Sequence, residues 1–207
     1  MLPKSNLTLK TLGVLLFALF LSGSADAGMP TDQIKATVDK AVAVLKDPRL
    51  KSAVKVKERR DQIKQVLFAR FDFTEMAKRA LGSNWRRRTS QEQDEFVRLF
   101  TDILEAAYAD IIESYSDEKI VFVNERIDGG FADVGSKIVT QKGEERSIQY
   151  KAHLVSNEWK VYDVVAENIS LVNNYRSQFN RVIANSSYEE LLNRLKDKAQ
   201  FTGAATK

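Results

Sequence analysis

The residues from Trp159 to Phe179, WKVYDVVAENISLVNNYRSQF, carry two hydrophobic patterns in succession. Trp159–Val165 is aromatic and β-branched and offers apolar side chains to both faces, which is typical of a strand covered on both sides. After this segment the apolar residues recur at steps of three and four, namely Ile169, Val172, Tyr175, Phe179 and Val182. This spacing is helical. The stretch therefore predicts a strand that leads directly into a packed helix.

Three segments before this stretch also have strand character: Ile120–Arg126, Phe131–Thr140 and Ser147–Val155. The connections between the four segments are short and rich in Gly, Asn, Asp and Ser, as turns are. Because short connections force neighbouring strands to run antiparallel, the sequence predicts a four-stranded antiparallel meander.

The third of these segments alternates most clearly between apolar and polar residues. The alternation places Ile148, Tyr150, Ala152 and Leu154 on one side and Gln149, Lys151 and His153 on the other. We expect the apolar side to be buried and the polar side to be largely solvated, with His153 at the surface. The buried side should pack against the longest helix and against the helix predicted from Ile169.

Capping signals and apolar spacing predict the remaining helices. They cover Asp32–Lys46 and Lys51–Arg70, a short helix between Asp72 and Gly82, a long helix opened by Thr89, and a last helix opened by Ser187. The long helix carries a wide apolar stripe from Phe96 to Ile112. Such a stripe is typical of a core, and part of it would also suit the lining of a ligand cavity.

Together these elements predict an α+β fold, with an antiparallel four-stranded sheet packed against several helices and an apolar cavity between them. Residues 28–200 are expected to form one domain, because their number suffices for one substantial core and no repeat divides them. Residues 201–207 are expected to be a flexible tail.

The first 27 residues have the three parts of a secretory signal peptide. Lys4 and Lys10 make the start basic, Leu12–Leu21 is apolar, and Ala25-Asp26-Ala27 supplies small residues for cleavage after Ala27. A membrane anchor is the alternative, and the short apolar run disfavours it. The sequence therefore predicts export.

Composition excludes several classes of function. The 32 basic and 28 acidic residues are interspersed, which argues against a nucleic-acid footprint. The absence of Cys removes disulfides, thiol catalysis and thiolate metal sites. No P-loop, dinucleotide fingerprint or HExxH motif occurs, and we expect no cofactor, no metal and no enzymatic activity. We also expect a monomer.

Two polar features have alternative interpretations. Asp163 lies in a strand covered by helices, so it is either a buried carboxylate with a raised pKa or, as we prefer, a partner for an Arg or a cap for a turn. Arg86-Arg87-Arg88 is by default a solvated charge run, and a docking patch or phosphate contact is the sharper possibility.

Three blocks of residues span nearly all of the chain after the predicted leader. They are Phe71–Ala77 with Ala80-Leu81-Gly82 and Trp85-Arg86; Thr89 with Glu92-Gln93, Phe96 and Phe100; and Trp159–Val164 with Ser170-Leu171, Asn174-Tyr175-Arg176 and Phe179. In order and spacing these blocks resemble the MlaC or Ttg2D family, the toluene-tolerance periplasmic lipid carriers of an ABC transport system. One departure is Asn168, where the family often has Gly.

This resemblance implies a phospholipid cargo, with acyl chains between sheet and helices and the head group near solvent. It also implies a periplasmic location and two membrane partners. These are an inner-membrane ABC transporter with its substrate-binding ring and an outer-membrane lipoprotein bound to a porin. The implied role is to maintain lipid asymmetry of the outer membrane.

We expect acyl chains to contact apolar residues of the buried sheet face and the facing helices. These are Leu104, Tyr108, Val121, Val134, Ile138, Ile148, Tyr150, Leu154, Val161, Ile169, Tyr175 and Phe179. An aspartate at Leu154 or Ile169 should then abolish lipid co-purification. Three alternatives stay open: a carrier of another apolar lipid such as a hopanoid, a chaperone-like protein, and a small enzyme using Asp163 with Tyr150 or Tyr162.

Overall fold

The described part of the chain folds into six α-helices and one antiparallel sheet, which confirms the predicted α+β class. The computed structural model describes residues 29–113, 115 and 117–204, with the backbone alone for 108–113 and 199–204. The predicted signal peptide lies outside these residues. The helices are α1 (Pro30–Lys46), α2 (Val56–Phe68), α3 (Phe73–Leu81), α4 (Ser90–Glu113), α5 (Leu171–Asn185) and α6 (Tyr188–Ala204). The strands are β1 (Lys119–Asp128), β2 (Phe131–Val139), β3 (Glu145–Val155), β4 (Glu158–Ala166) and β5 (Ile169–Ser170).

The helices start where the sequence places capping residues. The Asp72 carboxylate accepts the N–H of Glu75 at 2.9 Å and opens α3. Thr89 and Glu92 form a capping box, in which the carboxylate accepts the Thr89 N–H at 2.7 Å and the hydroxyl accepts the Glu92 N–H at 3.2 Å. The bond from the Thr89 N–H holds the pKa of Glu92 below its ordinary value. Ser187 caps α6 in the same way.

The sheet has the order β1-β2-β3-β4-β5, which confirms the predicted four-stranded meander. The two-residue strand β5 is an addition to that prediction. That strand contains Ile169, so the prediction that α5 begins there is wrong by two residues. The helix starts later because the Ser170 hydroxyl accepts the N–H of Asn173 at 3.0 Å and caps it. Glu167 and Asn168 make the tight turn before β5 with φ of 48° and 65°. Asn tolerates this left-handed backbone better than most residues, which explains its use at a position where Gly is common.

The apolar side of the sheet packs against α1. Ile34 of α1 is buried with Ala132, Val134, Ala152 and Val161 in one cluster. Among the described side chains this patch is covered by α1, and the prediction that α4 and α5 would cover it is wrong there. The apolar residues of α1 show that this helix packs on something, but their spacing does not show on which element it packs. In the structure they pack on the sheet.

The segment that joins α2 to α3 lies along the free edge of β4. The Asp72 N–H donates to the Val161 carbonyl at 2.8 Å, and the Val161 N–H donates to the Arg70 carbonyl at 2.9 Å. The Arg70 guanidinium donates to the carbonyl of Trp159 at 2.6 Å and to the side-chain oxygen of Gln33 at 2.7 Å. Burial lowers the pKa of Arg70, but these acceptors stabilise its charge. The network joins α1, the linker and the sheet.

The opposite side of the sheet is covered over β4 and part of β3, and there the prediction of a largely solvated face is wrong. On the same side of β2, Phe131 and Lys137 are exposed, as that prediction has it. His153 is 18% exposed, and its Nε2 lies 3.0 Å from the Asp72 carboxylate. Its ring stacks on Phe131 and meets the edge of Tyr162. The prediction of a surface histidine fails because α3 contacts β4, and the Asp72 that caps α3 also pairs with His153.

A second apolar cluster joins α3, α4, α5 and α6. The rings of Phe96, Phe100, Tyr175 and Phe179 contact one another with centroids 5.2 to 5.9 Å apart. These buried rings form a closed helical core, and α5 connects that core to β4.

The last helix continues to Ala204. The tail predicted from residue 201 therefore falls partly in the last turn of α6. Residues 205–207 lie outside the described residues.

We expect Tyr188 to ionise far above the ordinary tyrosine pKa of 10.0. The side chain is buried and its hydroxyl donates to the Glu92 carbonyl at 3.1 Å. Burial, with a smaller effect of the Glu92 charge, raises the pKa of Tyr188 to about 12. Since the folded pKa lies above the unfolded one, the contribution to stability is complete below pH 10 and is lost as the pH rises towards 12.

Ultraviolet titration of tyrosinate tests this expectation. In Tyr188→Phe, the tyrosinate absorbance that appears near pH 12 should fall by the amplitude of one tyrosine, and Tyr150, whose pKa burial also raises, should keep its own high-pH signal. A full set of tyrosines ionising near pH 10 in the folded protein would contradict the burial of this hydroxyl.

Candidate functional site

One end of the α1-facing side of the sheet carries apolar residues that are only half-buried. We call them the apolar strip: Ile120, Phe122, Ile138, Ile148, Tyr150 and Val164. Register shows that they are neighbours. Ile120 lies opposite Ile138, Tyr150 lies opposite Val164, and Ser136 lies opposite both Phe122 and Ile148. The strip is therefore a continuous apolar surface across four strands.

The strip continues the fully buried patch beneath the start of α1. Ile34 covers that patch, whereas Val42 and Leu45 at the end of α1 are themselves half-buried. Lys46 forms an ion pair of 3.0 Å with Asp117 just before β1, which places the end of α1 beside the strip. The end of α1 and the strip therefore both have apolar side chains that are only half-buried.

Helix α2 lies next to α1 and also has apolar residues that are only half-buried. It packs on α1, and Lys64 of α2 pairs with Glu105 of α4 at 2.5 Å. Val66 and Leu67 of α2 are half-buried as well. Apolar surface that is only half-buried and lies on a sheet and its neighbouring helices is what an apolar ligand requires.

The two aromatic residues of the strip contact each other. The rings of Phe122 and Tyr150 stack with centroids 6.3 Å apart. Burial raises the pKa of Tyr150, so its hydroxyl stays neutral at physiological pH. The strip therefore presents no charge to a ligand.

The residues that the sequence predicts for acyl contact fall into several groups. The strip contains Ile138, Ile148 and Tyr150, and the adjoining buried patch contains Val134 and Val161. The closed helical core contains Leu104, Tyr175 and Phe179. The structure thus brings five of the predicted residues to one surface and three to a different cluster.

The remaining predicted residues lie elsewhere. Val121 pairs with Lys137 on the opposite side of the sheet. Leu154 is 40% exposed near a hairpin, and Ile169 is 64% exposed in β5. The side chain of Tyr108 lies outside the described residues.

Sequence reasoning missed Phe122 and Ile120 as members of the surface. A register shift between Phe122 and Asn124 interrupts the simple alternation of β1, so the two sides of this strand cannot be assigned by counting. The sequence does offer one indication, because Phe122 is an aromatic residue within a run of β-branched residues. Val164 was missed because a second register shift in β4 follows Val161.

The arrangement of Asp163 favours anchoring over catalysis. It is buried, and its two oxygens accept bonds from the Ser170 hydroxyl at 2.6 Å and the Val172 N–H at 3.0 Å. Tyr150 pairs with Val164, which places it on the other side of the sheet. The preferred interpretation of Asp163 as a cap is confirmed, and the pair with Tyr150 does not form.

The arginine run is partly structural. The Arg88 guanidinium lies 4.4 Å above the ring of Tyr188 and pairs with Glu92 at 3.4 Å. Arg86 and Arg87 are exposed. Of the three arginines, Arg88 therefore packs on the protein, and Arg86 and Arg87 lie in solvent.

In the described residues, no group of three or more His, Cys, Asp or Glu side chains could hold a metal ion. Within the same residues, no helix has the length and apolar content needed to cross a membrane.

A family model described as the MlaC protein matches residues 35–197 of this chain. The chain belongs to the MlaC family. An intermembrane phospholipid transport system binding protein MlaC from Haemophilus influenzae is 23% identical over 126 residues, which are 58% of this chain and 59% of that protein. The toluene tolerance protein ttg2D of Pseudomonas putida is 24% identical over 168 residues, which are 80% of this chain and 78% of that protein.

A solved structure has the same fold as this MlaC family member. It is the phospholipid-binding protein from Ralstonia solanacearum in complex with a phospholipid. The TM-score is 0.75 at 24% identity, and the match covers 84% of this chain and 99% of that one. At this identity the likeness establishes the shared fold.

Proposed function

We propose that this protein is a periplasmic carrier that binds the acyl chains of a phospholipid and moves the lipid between membranes. The observation that carries the proposal is the apolar strip, an uncharged and half-buried surface on the α1-facing side of the sheet. Family membership supports it, because relatives are named for phospholipid transport and a protein of the same fold holds a phospholipid.

The energetics of lipid in water make such a carrier necessary. Two acyl chains with about 30 methylene groups in total cost on the order of 24 kcal/mol to expose, at about 0.8 kcal/mol each. A protein surface that shields the chains as a bilayer does makes transfer nearly neutral. The lipid must still avoid water on entry and exit, so the carrier must dock on a membrane partner before it empties.

The resemblance to the family supports a choice of partners. We propose an inner-membrane ABC transporter with its substrate-binding ring at one end and an outer-membrane lipoprotein and porin at the other. Transport between them would maintain lipid asymmetry of the outer membrane. The printed sequence has no P-loop, so we expect the ABC partner to supply the energy.

Native mass spectrometry of the protein purified from a Gram-negative periplasm tests the proposal. We expect a stoichiometric excess of mass that extracts as phospholipid. Matched protein that is stripped of lipid should regain this mass from labelled vesicles. A bare protein that also takes no lipid from vesicles would refute a carrier function, and a hopanoid in the extract would correct the cargo.

A further inference from the structure

A second concave site lies on the side of the sheet opposite the apolar strip. It is a pocket of about 320 Å³ between α3, the start of α5 and the paired strands β3 and β4. We call it the basic pocket. Its lining is Arg79, Gly82, Lys151, Tyr162, Asp163, Val172, Asn173 and Arg176. Three cationic side chains and one carboxylate therefore surround a space that the acyl-binding proposal does not use.

The one acidic residue of the lining is already engaged. Both oxygens of Asp163 accept bonds from the beginning of α5, one from Ser170 and one from Val172. These bonds hold the Asp163 oxygens against the start of α5. Within the lining, three side chains that carry several N–H donors each face this one carboxylate, so the basic pocket offers more donors than acceptors.

The cations differ in their own partners. Arg79 pairs with Glu75 at 2.8 Å, and Lys151 pairs with Asp133 at 3.4 Å. Among the residues that the structure describes, Arg176 has no carboxylate within ion-pair distance. Its guanidinium therefore offers its donors to a ligand.

Backbone and ring contacts hold the two guanidinium groups in place. Gly82 ends α3 with φ of +60°, and a β-carbon there would lie 2.9 Å from Nε of Arg176. The absence of a side chain at this position lets the arginine lie against the backbone. The Arg79 guanidinium lies 3.9 Å from the centre of the Tyr162 ring, a cation–π contact that orients it.

We propose that the basic pocket binds a phosphate group, either free or as part of a phosphate ester. Arginine forks bind phosphate oxygens in pairs, and a lysine adds a point charge. The volume is at the lower end of the range for small-molecule sites, so the pocket takes a group of head-group size and has no room for two acyl chains. The proposal stands on these side chains and does not depend on lipid carriage.

Titration of the purified protein with inorganic phosphate, followed by backbone amide NMR shifts, tests the site. We expect saturable shifts at Gly82, Asn173 and Arg176. In Arg176→Gln the affinity should fall about tenfold or more, since one charge-assisted contact is lost. The matched control is Arg181→Gln, which removes the same charge from the same helix at an exposed position outside the lining.

Two comparisons separate the sources of the phosphate. If loading with phosphatidylglycerol from vesicles abolishes the shifts caused by phosphate, the occupant is a lipid head group. If the loaded protein still binds inorganic phosphate or glycerol 3-phosphate, the occupant is a free phosphate compound. Both results support the site.

Three results would overturn it. One is a lack of saturable shifts, and another is an equal loss of affinity in Arg181→Gln and Arg176→Gln. The third is an equal response to acetate, which would indicate a site for carboxylates. Lipid content is measured on the same samples. The phosphate titration then tests the basic pocket, and the lipid content separately tests the carrier proposal.

Discussion

Ile148→Asp should yield a folded protein that no longer carries lipid. Ile148 lies in the apolar strip, and its side chain is only half-buried, so a carboxylate there can reach water. An acyl chain on the strip would bury that charge at a cost of several kcal/mol. At about 1.4 kcal/mol for each factor of ten, the affinity for lipid should fall on the order of 100-fold. Native mass spectrometry and lipid extraction measure the loss.

The matched control is Ile169→Asp, the same chemical change at a side chain that is 64% exposed. We expect this variant to load lipid as the unmodified protein does, the reverse of the effect that the sequence alone suggests. Ile138→Asp, also in the strip, provides a second test if Ile148→Asp fails to fold. Full lipid occupancy in either folded strip variant would show that acyl chains bind elsewhere.

The order and kind of most elements followed from local signals in the sequence. The capping residues Asp72, Thr89 and Ser187 each open a helix by bonds within a few residues of themselves. The hairpins follow from short turns in the same way. Local chemistry decides such features, so a single sequence contains the information that they require.

The covering of the sheet could not be predicted in this way. Alternation in β3 marks two sides, but it does not say which helix packs on either one. His153 shows the consequence. Because this residue is polar, the alternation predicts that it lies in solvent. In the structure it pairs with Asp72, which is 81 residues away along the chain. Contacts of this range depend on tertiary packing, which periodicity does not encode.

The candidate site was predicted in part for the same reason. Val134, Ile148 and Tyr150 were found because β2 and β3 alternate in a regular register. Phe122 was missed where a register shift occurs. Tyr175 and Phe179 have the right hydrophobicity, but they lie in the closed helical core, and hydrophobicity alone does not distinguish a filled core from a surface open to a ligand.

Asp163→Ala should lower the free energy of unfolding by about 3 kcal/mol. The substitution removes the acceptor for the Ser170 hydroxyl and leaves the Val172 N–H buried without a partner. It also removes a negative charge from the N-terminus of α5, where the helix dipole favours one. For a domain of this size the midpoint of thermal unfolding should fall by roughly 6 to 12 °C.

The graded variant Asp163→Asn keeps one oxygen acceptor and should lose about half as much stability. Asp197→Ala, an exposed position on α6, should change the unfolding free energy by no more than about 0.5 kcal/mol. Because α5 connects β4 to the helical core, a loosened helix start should expose the buried Tyr175 and Phe179 early in denaturant titrations followed by aromatic fluorescence. An Asp163→Ala protein as stable as the unmodified chain would mean that the carboxylate does not hold sheet and helices together.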